Sequence, residues 1–362
     1  MANDHRANPP RPRTGRGATS NLAGRFAPHV STRESDGWET ELEPLERLAT
    51  EAIAEQAKTI IATNRSPDLP FSQSINPYRG CEHGCIYCYA RPAHAYMDLS
   101  PGVDFESRIF FKPNAGELLE QALRKNGYQC SPIALGSNTD PYQPLEKDKR
   151  ITRELLQLMQ RFRQPVTIVT KSQLILRDLP LLAEMARDNL CHVAISVTTL
   201  SNDLKRRLEP RTAGPAARLR TLEALSRAGI PTAVMAAPMI PALNDSELEA
   251  ILTESAGVGA TQAAYILLRL PHEVAPLFRQ WLDVHYPERA AHVMSIVQQS
   301  RGGRDYQSDF AQRQTGTGVF AKLLQQRFRV ACRKLDLNSR RLALDCSRFA
   351  PPPQAGDQQS LF

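Results

Sequence analysis

Cys81, Cys85 and Cys88 stand in a Cys-x3-Cys-x2-Cys array inside the segment Asn76-Pro77-Tyr78-Arg79-Gly80-Cys81-Glu82-His83-Gly84-Cys85-Ile86-Tyr87-Cys88-Tyr89. Thiolates suit soft or borderline metals, and so compact a spacing lets one loop wrap a single centre. Structural zinc normally takes four protein ligands in two separated pairs, and the sequence holds no second pair. Its other cysteines, Cys130, Cys191, Cys332 and Cys346, are dispersed and read as core residues. Three ligands on a four-iron cluster leave one iron open, which makes a reactive site and not just an electron store. The competing readings are a zinc knuckle that borrows His83, and thiols with no metal.

A second group of candidates lies further along the chain: Asn138-Thr139-Asp140-Pro141-Tyr142, Thr170-Lys171-Ser172, Ser196, and Glu209-Pro210-Arg211-Thr212. A cationic Lys171 or Arg211 can pair with a carboxylate, and Asp140 can take an ammonium through charge-assisted hydrogen bonds. Taken singly, Thr139-Asp140-Pro141 reads as a turn, Lys171 as a surface cation and Ser196 as a satisfied strand serine. Their placement at successive strand ends is what raises them.

The elements that must position these groups form an alternation. Short apolar runs rich in β-branched residues occur near Ser74–Arg79 and at Pro132–Gly136, Val166–Thr170, His192–Thr198, Pro231–Ala237 and Gln262–Leu268. Segments of helical period follow; Ile151, Leu155, Leu158, Met159 and Phe162 make one buried stripe. Asn244, three residues before Glu247, is placed to cap a helix that ends at Gly257. Six such units predict an α/β fold with a parallel sheet, a partial six-stranded (β/α)6 barrel of the TIM type. Ligands then collect at the C-terminal ends of the strands. The expected organisation is a disordered or poorly ordered arm over 1–60, the barrel over 61–290, a basic extension over 291–348 and a disordered tail over 349–362. In the extension, Phe320, Leu323, Leu324, Phe328 and Ala331 share a helix face expected to cover the open edge or mouth of the barrel.

Composition narrows the class. With 41% hydrophobic and 23% charged residues in 362, the chain has the make-up of a soluble globular protein. It has no run of 18 apolar residues that would predict a membrane helix and no apolar core near its start that would predict a secretory signal. Seven cysteines, three of them clustered, do not form a disulfide framework, so a reducing, cytoplasmic setting is expected. The net charge of +7 is matched by the excess within 301–348, where 11 Lys and Arg face 4 Asp and Glu. Nucleic acid is one candidate partner for that region, and a solvated helix surface is the other. Arg301-Gly302-Gly303-Arg304-Asp305-Tyr306 could contact phosphates, close over the mouth, or be an ordinary turn. Arg340, Arg341 and the N-terminal Arg11, Arg13 and Arg16 would add electrostatic binding without sequence preference.

The cysteine triplet, with Tyr87 just before the third cysteine, resembles the radical S-adenosylmethionine (SAM) superfamily, over roughly residues 70–285. The resemblance implies a [4Fe-4S] cluster on Cys81, Cys85 and Cys88 whose open iron chelates the amino and carboxylate groups of SAM, with Tyr87 beside the adenine. It also implies reductive cleavage of SAM to a 5′-deoxyadenosyl radical and a reductant such as flavodoxin or ferredoxin. Within the superfamily the chain looks most like the spore photoproduct lyase branch, often labelled "DNA repair photolyase". That likeness places Thr139 and Asp140 at the SAM amino group, Lys171 near its carboxylate and Ser196 at the ribose, with Arg211 a further candidate contact. Tyr87 and Tyr89 flank Cys88 as paired tyrosines do in that branch. The lyase carries a hydrogen-donating cysteine where this chain has Ser137, whose O–H bond is far too strong for that donation. Cys130, about 23 Å away at the other end of the strand, should not substitute. The expected substrate is therefore another nucleic-acid lesion or modified base; a protein or small-molecule substrate, and a non-catalytic iron–sulfur or zinc-binding DNA adaptor, are the alternatives. The final residues, Gln358-Gln359-Ser360-Leu361-Phe362, resemble the bacterial sliding-clamp-binding peptide, whose adjacent apolar anchors Leu361 and Phe362 would seat from a flexible tether.

Overall fold

The structure, a computed structural model, describes residues 15–26, 48–310, 312–340 and 342–353. Among the described residues, ten strands form two sheets: β1 (Glu51–Ala54), β2 (Ile61–Thr63), β3 (Gln73–Ile75), β4 (Tyr78–Arg79), β5 (Arg108–Phe111), β6 (Ile133–Leu135), β7 (Val166–Thr170), β8 (Cys191–Ser196), β9 (Thr232–Met239) and β10 (Gln262–Leu267). The larger sheet runs β10-β9-β8-β7-β6-β3-β2. Its six strands from β3 to β10 pair in parallel, and β2 adds an antiparallel edge on β3. This is the expected partial barrel, with helices crossing from each strand to the next. The second sheet, β1-β5-β4, lies outside that pattern. It was not foreseen, because its strands are two to four residues long.

The core sits where strands meet helices. Ile133, Leu135, Ile168, Val193, Ile195 and Val234 from the sheet are buried with Leu155 and Met159 from helix Ile151–Arg161 and with Phe162, which caps its C-terminus. Burying each such side chain contributes about 1.5–3 kcal/mol before entropy is counted. Gly136 closes β6 at φ +89°, and a Cβ there would meet the Val169 carbonyl oxygen at 2.1 Å. Glycine is required at this point because the chain must turn toward the site while touching the neighbouring strand.

The C-terminal extension covers the β10 edge of the barrel. Asn338 accepts the Ala263 N–H at 2.8 Å and donates to the Ala263 carbonyl at 2.9 Å, and the Leu267 N–H donates to the Gln314 carbonyl at 2.9 Å. Helix Gly318–Lys334 lies alongside, with Phe328 against Tyr265 at a ring separation of 4.8 Å. An open edge strand would otherwise present unpaired backbone groups. Arg301 belongs to the same clamp. It is buried, and its two terminal nitrogens donate to the carbonyls of Leu267, Leu268, Gln312 and Arg313. Arg301 is thus a structural tie and not a phosphate contact.

Two further expectations change. Asn244 does not cap helix Leu248–Gly257; its side chain accepts the Ile240 N–H at 2.6 Å and donates to the carbonyls of Thr198 and Pro238. The buried backbone demand between β8 and β9 outcompetes the helix terminus. Residues 15–26, expected within a loose arm, pack on the protein: Ala18 is fully buried, and Arg16 and Thr19 nearly so. The tail expected over 349–362, by contrast, lies partly outside the described residues, and the clamp-like Gln358, Leu361 and Phe362 lie wholly outside them. No helix among the described residues is long and apolar enough to cross a membrane.

Candidate metal centre

The three cysteines lie on a loop that leaves β4 and re-enters the fold at the short helix Arg91–Met97. Consecutive turns shape it: Gly84 N–H donates to the Cys81 carbonyl, Cys88 N–H to Cys85 and Arg91 N–H to Cys88. Gly80 and Gly84 take φ of +79° and +66°. At Gly84 a Cβ would press on Glu106 at 2.8 Å.

Beneath the loop lies a buried ion pair. Arg91 pairs with Glu106, both with no side-chain exposure, and its Nε donates to the Cys85 carbonyl at 2.9 Å. Glu106 in turn accepts the N–H groups of Gly17 and Ala18 at 2.9 and 2.8 Å. A Cβ on Gly17 would lie 1.9 Å from the Gly84 carbonyl oxygen. The N-terminal strap therefore seats backbone against backbone on the cysteine loop. Partnered in this way, the buried charges avoid the penalty of an isolated ion.

Cys81, Cys85 and Cys88 line one cavity. Thr139, Asp140, Lys171 and Ser196 line the same cavity, brought there by the ends of β6, β7 and β8. Among the described residues no three His, Cys, Asp or Glu side chains converge as ligands of a single metal ion. A cube asks for no such convergence, since each thiolate takes its own iron. Three soft thiols of one loop, mutually close enough to feel each other's charge, are a donor set that fits an iron–sulfur cluster. Burial pushes the Cys85 thiol up to about 12, and it raises Cys81 and Cys88 as well. The free thiols hold their protons until a metal displaces them.

Asp140 is held from four sides. Its carboxylate accepts the Thr170 hydroxyl at 2.7 Å and the N–H groups of Lys171 and Tyr142 at 2.9 Å each. His83 Nδ1 stands 3.2 Å away. Burial works against the charge, but the His83 ring and these donors pull the carboxyl down to about 2. Lys171 is held above the ordinary lysine range: burial opposes its charge, and Cys85 and Glu209 more than offset that. The cavity thus has an anionic wall at Asp140 and a cationic one at Lys171.

Tyr87 and Arg211 do not line the cavity. Tyr87 is buried, donates its hydroxyl to Glu209, and presents its ring 6.0 Å from Lys171 Nζ. Arg211 Nη2 instead pairs with Glu82 at 3.1 Å. Behind the cavity, Glu209 joins Tyr87, Thr198 and Arg218 in one buried network, and Arg218 also donates to the Ser196 carbonyl at 2.9 Å. Burial raises the Glu209 carboxyl, and Arg218 followed by Lys171 brings it to about 2. The Glu209-Pro210-Arg211-Thr212 segment was visible in the sequence, but the role of Glu209 as hub was not. His83, weighed only as a zinc ligand, proves to face Asp140. Ser137 accepts a hydrogen bond from the Tyr89 hydroxyl at its carbonyl.

The family description "Radical SAM superfamily" matches residues 75–254. An uncharacterized protein of Mycobacterium tuberculosis (strain H37Rv) is 38% identical over 232 residues, which cover 63% of this chain and 68% of that one. An uncharacterized protein of Methanocaldococcus jannaschii is 29% identical over 241 residues, or 66% of this chain and 85% of that one. Among solved structures, spore photoproduct lyase complexed with dinucleoside spore photoproduct superposes with a TM-score of 0.53 at 15% identity, covering 82% of this chain and 83% of that one. A mutant of the same lyase with bound AdoMet and dinucleoside spore photoproduct gives 0.51 at 13% identity, covering 78% and 79%. At these identities the structural likeness concerns the fold.

Proposed function

Because the chain belongs to the radical SAM superfamily of enzymes, we propose that Cys81, Cys85 and Cys88 ligate a [4Fe-4S] cluster beside a SAM site formed by Thr139, Asp140, Lys171 and Ser196. When bound, the cluster and SAM supply one-electron cleavage of SAM to methionine and a 5′-deoxyadenosyl radical that abstracts hydrogen from the substrate. The observation that carries the reading is the shared cavity: three thiols of one loop face Asp140 and Lys171 from the ends of β6 and β7. Asp140, ionised by its surroundings, suits the SAM ammonium, and Lys171 suits its carboxylate. Tyr87 and Arg211 act from behind, Tyr87 by holding Glu209 and Arg211 by holding Glu82. The strap over 15–26 and the buried Arg91–Glu106 pair keep the loop closed to water, which limits side reactions at the centre.

The substrate proposed is a nucleic-acid lesion or modified base other than spore photoproduct, on the strength of the fold likeness, Ser137 and the basic 301–348 region. Anaerobic reconstitution followed by iron analysis and detection of 5′-deoxyadenosine tests the enzyme reading. One zinc per chain without SAM turnover would support an adaptor instead. Stimulation of SAM cleavage by oligonucleotides, and not by peptides or small metabolites, tests the substrate class.

A further inference from the structure

Arg269 follows β10 at the mouth of the barrel. Its guanidinium lies 5.1 Å from the ring centroid of Tyr89, which lines the cysteine cavity, and 6.0 Å from that of Tyr306. Among the described residues it has no carboxylate partner; its contacts are the Tyr306 hydroxyl at 3.3 Å and Gln314 Oε1 at 3.5 Å. Each terminal nitrogen thus makes one long contact among the described residues, and the remaining N–H donors of the fork are left for a ligand to complete.

The surroundings deepen the imbalance. Arg301 is near enough for Arg269 to act on its charge, and the Tyr89 hydroxyl feels Arg269, Lys171 and Arg313 together. The acidic partner here is Asp68, and it is held in a two-pronged pair by Arg313. Aromatic rings interleave with these cations: Tyr89 is 44% exposed, and Phe310, 4.8 Å from the Arg313 guanidinium, is 50% exposed. We infer that this mouth binds a nucleotide segment of the substrate, with a phosphate on Arg269 and a base stacked on Tyr89. An acidic peptide would satisfy the arginine but would leave the exposed rings without a use. Base stacking on such rings tolerates any sequence and adds to the phosphate contact. The inference rests on the reading of the adjoining cavity as the reaction centre, and it specifies how the substrate reaches that centre.

The test is binding of a fluorescently labelled oligothymidylate of about eight residues to the full-length chain, followed by anisotropy between about 50 and 200 mM salt. Arg269→Gln is expected to weaken binding at least about tenfold and to lower the salt slope by about one. Arg269→Lys should recover part of that loss, and Tyr89→Leu should weaken binding by about tenfold with the salt slope unchanged. Arg220→Gln, on the exposed face of helix Pro215–Arg227 and outside the basic 301–348 region, should bind as the unaltered chain does. Equal binding by Arg269→Gln and the unaltered chain, equal weakening by Arg220→Gln, or equally tight binding of polyglutamate would each overturn the inference. The assay needs no SAM turnover. Failure to form 5′-deoxyadenosine would thus count against the reaction centre, while the anisotropy still decides the mouth.

Discussion

Arg91 and Glu106 form an ion pair with no solvent exposure directly beneath the cysteine loop, and Arg91 simultaneously holds the Cys85 carbonyl. The pair converts a charge interaction in the interior into a fixed position for a metal-binding segment. It also anchors the N-terminal strap through the N–H groups of Gly17 and Ala18.

Removing one partner leaves the other charged and buried. Arg91→Ala is expected to lower the unfolding free energy by about 3–5 kcal/mol and to reduce iron retention after reconstitution. Chemical denaturation and iron analysis check this. A variant as stable as the unaltered chain, with full iron, would remove the pair from the account of the loop.

Gly136 joins β6 to the Thr139-Asp140 turn at a positive φ, against the Val169 carbonyl. Gly136→Ala should therefore cost about 1–3 kcal/mol in backbone strain, and it should weaken SAM binding by displacing Asp140. Calorimetry with SAM on the reconstituted protein measures the second effect.

His94 carries a pH dependence. Burial against Phe105 and Phe110 lowers its pKa from 6.5 to about 4. The folded state thus disfavours the proton that the unfolded chain accepts, so stability is full above about pH 6.5 and declines as pH falls toward 4. The loss amounts to about 3 kcal/mol at most. Denaturation midpoints between these pH values should flatten in His94→Phe; an unchanged slope would assign the pH response to other groups.

Asp140→Asn keeps the size of the side chain but removes the charge facing the cavity. SAM affinity should fall by about one to two orders of magnitude, the worth of a charge-assisted hydrogen bond. Iron content should stay that of the unaltered protein, because Asp140 is no cluster ligand in this account. Parallel loss of iron would point to a wider collapse of the loop.

The barrel was legible because its strands are continuous apolar runs that end in polar turns. Val166–Thr170 and Cys191–Ser196 stand in the structure within a residue or two of where the pattern put them. Helix Ile151–Arg161 was legible from the spacing of its buried stripe. Thr139, Asp140, Lys171 and Ser196 were legible as strand-end residues that share one cavity with the cysteines. What escaped were pairings between segments far apart in sequence. Gly17 reaches Glu106 across 89 residues and Tyr87 reaches Glu209 across 122, and neither carries a local period that announces it. Arg301 read as a phosphate contact, a cover for the mouth or part of an ordinary turn, because nothing in Arg301-Gly302-Gly303-Arg304 shows that four carbonyls surround it.

The most direct test of the central claim is anaerobic reconstitution of the full chain, with iron and sulfide counted and 5′-deoxyadenosine measured after reduction in the presence of SAM. The account predicts about four irons and four sulfides per chain, 5′-deoxyadenosine formation, and loss of both on replacing any one of Cys81, Cys85 and Cys88 by alanine. A chain that takes up a single metal ion, or that holds a full cluster yet never cleaves SAM, would contradict it.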